Sequence, residues 1–377
     1  MIQRSIESKI KEKLGTGKAI IIFGARQVGK TTLLKHIFKD DDTVLWLNGD
    51  EKETRIKFEN ISSATVPAII GDHKTIILDE AQRIKDIGLK LKIIQDNFGK
   101  DIQLIATGSS SFDLANEINE PMTGRKWTFW LPPITITELV SKNGTISEQS
   151  NLHNRLLYGS YPDVINDPKN AEEIVLGLAG DDLYKDVLNL GEIIKTDKLS
   201  LILQALAFQI GSQVSMNELA SLVGVDSKTI DKYIALLEQS FIIFRLPSYS
   251  HNLRNELKSS NKFYFYDCGI RNALIEDFRP LSIRQDIGNL FENYIISEFK
   301  KQANHKSYFW RTTQQQEIDY IAIKNTLISA AEIKWNENKT IKFPKSFTES
   351  YHPNELLPIN STNYLNYFTT NKPYFLS

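Results

Sequence analysis

Gly24, Ala25, Arg26, Gln27, Val28, Gly29, Lys30 and Thr31 spell G-x4-G-K-T, and the apolar run Ala19 to Phe23 leads straight into it. The spelling has a physical reason. Glycines let the backbone curl until successive N–H groups face one anion, a lysine neutralises the β- and γ-oxygens, and a hydroxyl ligates Mg²⁺. The segment reads as a loop that holds a nucleoside triphosphate, with Lys30 on the phosphates and Thr31 on the metal. From Thr32 to Phe38 apolar positions recur three and four apart, as in a helix whose positive end faces the phosphates.

A second run, Ile76-Ile77-Leu78-Asp79-Glu80, delivers two adjacent acids to the end of an apolar strand, where ligands collect in open α/β sheets. Phosphoryl transfer to water needs a positioned base more than covalent chemistry. Asp79 is the candidate to hold Mg²⁺ through water, and Glu80 to polarise the attacking water. Thr107 and Ser109, in Thr107-Gly108-Ser109-Ser110-Ser111, are candidates to sense the γ-phosphate or orient water; a plain Ser-rich turn is the competing reading. Arg125 is either a surface ion-pair partner or an arginine finger reaching a neighbouring subunit, which would make the chain a homo-oligomer.

Near the other end, Asp319 lies on one strand-like run and Glu332-Ile333-Lys334 on the next. Strand side chains alternate, so 332 and 334 share a face, and two acids and a lysine can meet at one point. Ile318, Tyr320, Ile321, Ala330, Ala331, Ile333 and Trp335 make both runs too apolar to carry idle charges. Solvated hairpin charges are the alternative.

These groups need elements to position them. Apolar runs at Thr43 to Leu47, Thr75 to Leu78, Ile102 to Ala106 and Trp127 to Leu131 alternate with helical or turn-rich stretches, predicting a parallel sheet covered by helices. Ile2, Ile6, Ile10 and Leu14 mark a helix ahead of the first strand, with simple packing as its role. Further on, Met216 to Ile230 reads as helix, Gly-containing turn and a second helix capped by Asp226 or Ser227, followed by strand-like runs Phe241 to Leu246 and Lys262 to Tyr266 around a polar loop. That is the order of a winged helix. Lys228 and Lys232 could enter a major groove, and His251, Arg254 and Lys258 could meet phosphates, against Asp226, Asp231, Glu238 and Glu256. Three strand-like runs, Tyr308 to Thr312, Glu317 to Ile323 and Ser329 to Lys334, follow a helix around Leu290 to Phe299. The tail adds scraps at Leu356 to Ile359 and Tyr374 to Leu376.

Length and composition bound the possibilities. At 377 residues the chain is expected to hold two or three domains. A net charge of −1 gives no global attraction to nucleic acid or membrane, so a basic surface has to be local. The single cysteine, Cys268, excludes an intrachain disulfide, the histidines lack zinc spacing, and no run approaches the ~20 apolar residues of a membrane span. A cytoplasmic protein with no membrane partner is expected.

Gly24-x4-Gly29-Lys30-Thr31-Thr32, Leu78-Asp79-Glu80-Ala81-Gln82, Thr107-Gly108-Ser109-Ser110, Gly124-Arg125 and Pro132-Pro133-Ile134-Thr135-Ile136-Thr137-Glu138 together resemble bacterial and archaeal AAA-type ATPases that carry a C-terminal domain of unknown function. The resemblance continues through Tyr158-Gly159-Ser160-Tyr161-Pro162, Tyr264-Phe265-Tyr266-Asp267-Cys268-Gly269 and Gly288-Asn289-Leu290-Phe291-Glu292-Asn293, and so covers nearly the whole chain. Ser160 replaces a second glycine, and Pro133-Ile134-Thr135 is a loose version of that family's Pro-Leu-Ser-Phe. ATP and Mg²⁺ are the cofactors it implies. The C-terminal grouping is similar to the PD-(D/E)XK nuclease superfamily, which implies Asp319 and Glu332 on Mg²⁺, Lys334 steadying water, and a helix acid, here Glu292.

The expected organisation is a P-loop ATPase domain over 1–140, a helical and winged-helix-like domain over 141–275, and a nuclease-like domain over 276–377. The leading expectation is an ATPase driving a module that binds or cleaves DNA or RNA. The alternative is an ATP-dependent assembly switch whose C-terminal fold binds protein and is catalytically inactive. A small-molecule kinase is disfavoured, because Asp79-Glu80 implies hydrolysis.

Overall fold

A computed structural model describes residues 2–109, 121–182, 196–250, 261–302 and 304–369. These pack as two compact units, one holding 2–133 and 239–241, the other 134–182, 196–238 and 242–369. Among them no helix is long and apolar enough to cross a membrane.

The first unit is built on five parallel strands: β1 (Ala19–Phe23), β2 (Val44–Asn48), β3 (Thr75–Asp79), β4 (Gln103–Gly108) and β5 (Lys126–Trp130), in the order β2-β3-β4-β1-β5. Each apolar run read from the sequence is one of these strands to within two residues. Continuous apolar runs are what a parallel sheet needs, because helices cover both of its faces. Ala19, Ile21, Leu78, Leu104 and Ala106 share one core with Leu91 and Ile94 of the helix Ile87–Phe98. Ile20, Ile22, Ile77 and Ile105, on the alternate face, are as fully buried. Burying each such side chain is worth about 1.5–3 kcal/mol.

Strand order matters more than strand content for the chemistry. From β1 the chain crosses to the far edge, and β3 and β4 fill the space between, so the carboxyl ends of β3, β4 and β1 lie side by side. The expected helix after the loop runs Lys30–Ile37.

In the second unit, short helices between Ile136 and Gly177 precede the helix Thr196–Phe208. Then come β6 (Gln213–Val214), the helices Met216–Val223 and Ser227–Gln239, β7 (Ile243–Leu246) and β8 (Asn261–Phe265), the strands forming an antiparallel sheet β6-β8-β7. Gly224 turns between the two helices at φ +73°, a left-handed conformation that favours glycine. Asp226 is the cap: it accepts from Thr229 N at 3.0 Å and Thr229 Oγ1 at 2.6 Å. His251, Arg254, Glu256 and Lys258 lie outside the described residues.

The unit ends in β9 (Lys306–Arg311), β10 (Glu317–Lys324), β11 (Leu327–Lys334) and β12 (Glu355–Asn360), ordered β12-β11-β10-β9, antiparallel except for the parallel β11–β12 pair. The helix Ile287–Lys301 packs on β11. The scrap at Tyr374 to Leu376 also lies outside the described residues.

Candidate functional site

The loop Gly24 to Thr31 is wrapped as its spelling demands. Gln27 and Gly29 take positive φ of 59° and 94°, and a Cβ on Gly24 would stand 2.3 Å from the carbonyl oxygen of Leu131, so only glycine fits there. Ala25 and Val28 are buried, Arg26 is half-buried and Thr32 exposed. Lys30 is 5% exposed and donates to the carbonyls of Gly24 at 2.8 Å and Ala25 at 2.9 Å, which folds its ammonium over the loop.

The acids stand beside it. Thr31 Oγ1 donates to Asp79 Oδ2 at 2.6 Å, and Thr107 Oγ1 donates to Asp79 Oδ1. Glu80 follows in a left-handed turn at φ +49°, its N–H bonded to Thr107 Oγ1 at 3.3 Å. Thr107 is fully buried and Ser109 is 2% exposed. A continuous hydrogen-bonded run thus joins the metal-candidate hydroxyl to the acid pair across three neighbouring strand ends. One participant had no role in the sequence reading: Gln82 Nε2 donates to Glu80 Oε2 at 2.6 Å and Ser109 Oγ at 3.0 Å. Its signals were its place two residues after the acid and within the Leu78-to-Gln82 stretch that carries the family resemblance.

Arg125 is elsewhere. Its carbonyl accepts from Ala19 N at 2.9 Å, so it sits at the opening end of β1 while the loop follows the closing end, about 16 Å of strand away. Its guanidinium pairs with Asp96, both half-exposed. Losing an exposed pair costs at most about 1 kcal/mol. Arg125→Ala is therefore expected to leave turnover unchanged in a dilute subunit and to lower it only where turnover rises with protein concentration. A loss in the dilute subunit would contradict the observed placement.

In the second unit, the register pairing Tyr320 with Ala331 sets Asp319 opposite Glu332. Lys334 Nζ lies 2.9 Å from Asp319 and 3.0 Å from Glu332, and Ile333 N donates to Asp319 Oδ2 at 2.8 Å. Glu292, from the helix Ile287–Lys301, accepts from the Tyr264 hydroxyl at 2.6 Å and lies 3.4 Å from Lys262, which also pairs with Glu317. Lys262 and Tyr264 come from β8 and were not foreseen; a lysine in an otherwise aromatic strand was the available signal.

Burial, with Asp319 adding repulsion, pushes the Glu332 carboxyl up to about 8 and Glu292 up to about 7. Burial opposes the charge on Lys262 and Lys334, and the surrounding carboxylates outweigh it, holding both above the ordinary lysine range. Glu332 is 6% exposed and its Oε1 makes no hydrogen bond within the described residues. The three-acid metal set expected of Asp319, Glu332 and Glu292 is not assembled, however: among the described residues no three His, Cys, Asp or Glu side chains are grouped to hold a metal ion. The acids are instead interleaved with lysines that compensate only part of their charge. Lys334 stands between two of the acids, and Lys262 and Tyr264 hold the third.

The remaining sequence motifs of this unit pack on one another. Asp267 accepts from Ser160 N at 2.7 Å and from Gly269 N at 2.9 Å, while Asn293 accepts from Phe265 N at 2.8 Å. A Cβ on Gly159 would overlap the Asp267 carboxylate, and one on Gly269 would stand 2.2 Å from the Tyr158 carbonyl. These motifs build a buried junction, and Ser160 fits it through its main-chain N–H.

Residues 16–140 match the AAA domain family. Most of that match lies in the unit that carries the phosphate loop. Residues 149–305 and 287–373 match two domains of unknown function, DUF8612 and DUF4143. An uncharacterized protein of Mycobacterium tuberculosis is 25% identical over 328 residues, covering 84% of this chain and 70% of that protein. Another, from Methanocaldococcus jannaschii, is 26% identical over 352 residues, covering 81% and 72%. Among solved structures, the Thermotoga maritima RuvB Holliday junction branch migration motor aligns with a TM-score of 0.33 at 16% identity, covering 68% of this chain and 94% of that one.

Proposed function

We propose that the chain binds Mg-ATP in the loop from Gly24 to Thr31, hydrolyses it, and uses the cycle to drive a second unit that binds or cleaves nucleic acid. The observation that carries the ATPase reading is the hydrogen-bonded run from Thr31 through Asp79 and Thr107 to the Glu80 backbone. Lys30 leaves its two loop carbonyls to neutralise phosphate oxygens. Thr31 and Asp79 supply hard oxygen donors, a set suited to Mg²⁺, which when bound screens phosphate charge. Glu80 orients and polarises the attacking water, and Thr107 and Ser109 fix the strand end that carries it. Arg125 is read as an arginine finger for a second copy of the chain. A cytoplasmic location fits the single buried thiol, Cys268.

For the second unit we read 141–275 as helical and winged-helix-like and 276–377 as nuclease-like. The helix-turn-helix with its antiparallel strands supports the first reading. The buried acid excess around Glu332 supports the second. No cleavage step is assigned, because lysines occupy the places between the acids. That same interleaving of lysines favours a second reading, an ATP-dependent assembly switch whose C-terminal fold binds protein. The exposed helix face, with Lys228 and Lys232 balanced by Asp226 and Asp231, is near neutral and agrees with it.

ATP hydrolysis measured with and without DNA and RNA across a low-salt titration separates the two. Turnover is expected to rise with nucleic acid and to lose that rise as salt increases; a flat response favours the switch. Mg²⁺-dependent cleavage that disappears in both Asp319→Ala and Glu332→Ala would establish nuclease chemistry.

A further inference from the structure

We propose that Gln82 is a positioning residue for hydrolysis, its amide holding the Glu80 carboxylate and tying it to Ser109 at the end of β4. The inference rests on the reading of Glu80 as the group that polarises water. A carboxylate accepts only, so the amide nitrogen of Gln82 must face it, and that one nitrogen supplies both bonds, 2.6 Å to Glu80 Oε2 and 3.0 Å to Ser109 Oγ.

The need for such a tether follows from charge. Glu80 has to stand near the terminal phosphate, which repels it, and its long side chain has rotamer freedom to swing away. A lysine or arginine would hold it but would also neutralise it, lowering its strength as a base. A neutral amide orients the carboxylate and leaves its charge in place. Ser109 is the fixed end, 2% exposed at the close of β4, whereas Gln82 and Glu80 are half-buried in the turn after β3. Glu80 is therefore aimed by the strand next to its own. Because β4 also supplies Thr107, which holds the Glu80 backbone, one strand end sets both the main chain and the side chain of the base.

The test is a cycle on the full chain with Glu80→Gln, Gln82→Ala and the double variant, reading kcat, KM and binding of a non-hydrolysable ATP analogue with Mg²⁺. Gln82→Ala is expected to lower kcat about 10-fold or more, to leave analogue affinity within about twofold, and to cost nothing further once Glu80 is glutamine. Ser109→Ala should give a smaller loss of the same kind. A kcat loss in Gln82→Ala that persists in full in the Glu80→Gln background makes Gln82 merely structural and overturns the proposal, as does an undiminished kcat. If Glu80→Gln itself turns over normally, the reading of Glu80 fails and the inference falls with it. If only Gln82→Ala is silent, the inference alone falls.

Discussion

Glu80→Gln is expected to cut ATP turnover about 10²–10⁴-fold, the usual worth of a positioned general base, while Mg-ATP binding stays near the wild-type level. The substitution keeps the size and shape of the side chain and leaves untouched the backbone bond from residue 80 to Thr107 and the Thr31–Asp79 contact. What disappears is the charge that draws a proton from water. Lys30→Ala supplies the contrast. Its ammonium is the buried cation of the loop, so its removal is expected to abolish binding and turnover together. Filter binding or calorimetry with a non-hydrolysable analogue, beside phosphate release, distinguishes the two patterns. Normal phosphate release by Glu80→Gln would remove Glu80 from its role, and unimpaired analogue binding by Lys30→Ala would remove the loop from nucleotide recognition.

The second large effect is one of stability against pH. Burial raises the Glu332 carboxyl from its ordinary 4.5 to about 8, so the folded chain binds this proton more tightly than the unfolded chain does. A carboxyl raised on folding contributes stability that is complete below its unfolded value and is lost as pH climbs through the folded one. Glu332 should therefore contribute a fall in stability between about pH 4.5 and 8, of at most about 1.4 kcal/mol per pH unit for its one proton, beside a second fall from Glu292, which is raised to about 7. Glu332→Gln removes the titration and keeps the amide within reach of Lys334. Its unfolding midpoint is expected to exceed wild type by several degrees at pH 8, with roughly 2–4 °C for each kcal/mol, and to converge with it near pH 4. Lys262 and Lys334 are raised from a much higher starting value and stay charged throughout this window, so they do not mask the effect. Parallel melting curves for the two proteins from pH 4 to 8 would mean that Glu332 is ionised in the fold at no cost.

Much of this protein was written in local order. The loop could be read because its curl depends on eight consecutive residues: glycine where Leu131 comes close to Gly24 and where φ turns positive at Gly29, then a lysine and a hydroxyl opening a helix. The three inner strands were legible because a sheet covered on both faces requires unbroken apolar runs, the partly exposed edge strands β2 and β5 showed as aromatic and aliphatic runs, and the alternation of strand side chains already set Glu332 and Lys334 on one face. What no local rule supplies is which strand ends become neighbours. The order β2-β3-β4-β1-β5 brings Asp79, Thr107 and Thr31 into one hydrogen-bonded run, and it alone gives Gln82 a partner in Ser109. The carboxylate cluster has the same history. Its acids were visible as residues, but Lys262 and Tyr264 reach Glu292 from a strand some thirty residues earlier, and occupy one side of an acid that was expected to face a metal. Short-range spelling fixes backbone shape because the torsions involved are consecutive. Pairing between distant strands is decided by long-range hydrogen bonding and burial, which belong to the folded chain as a whole.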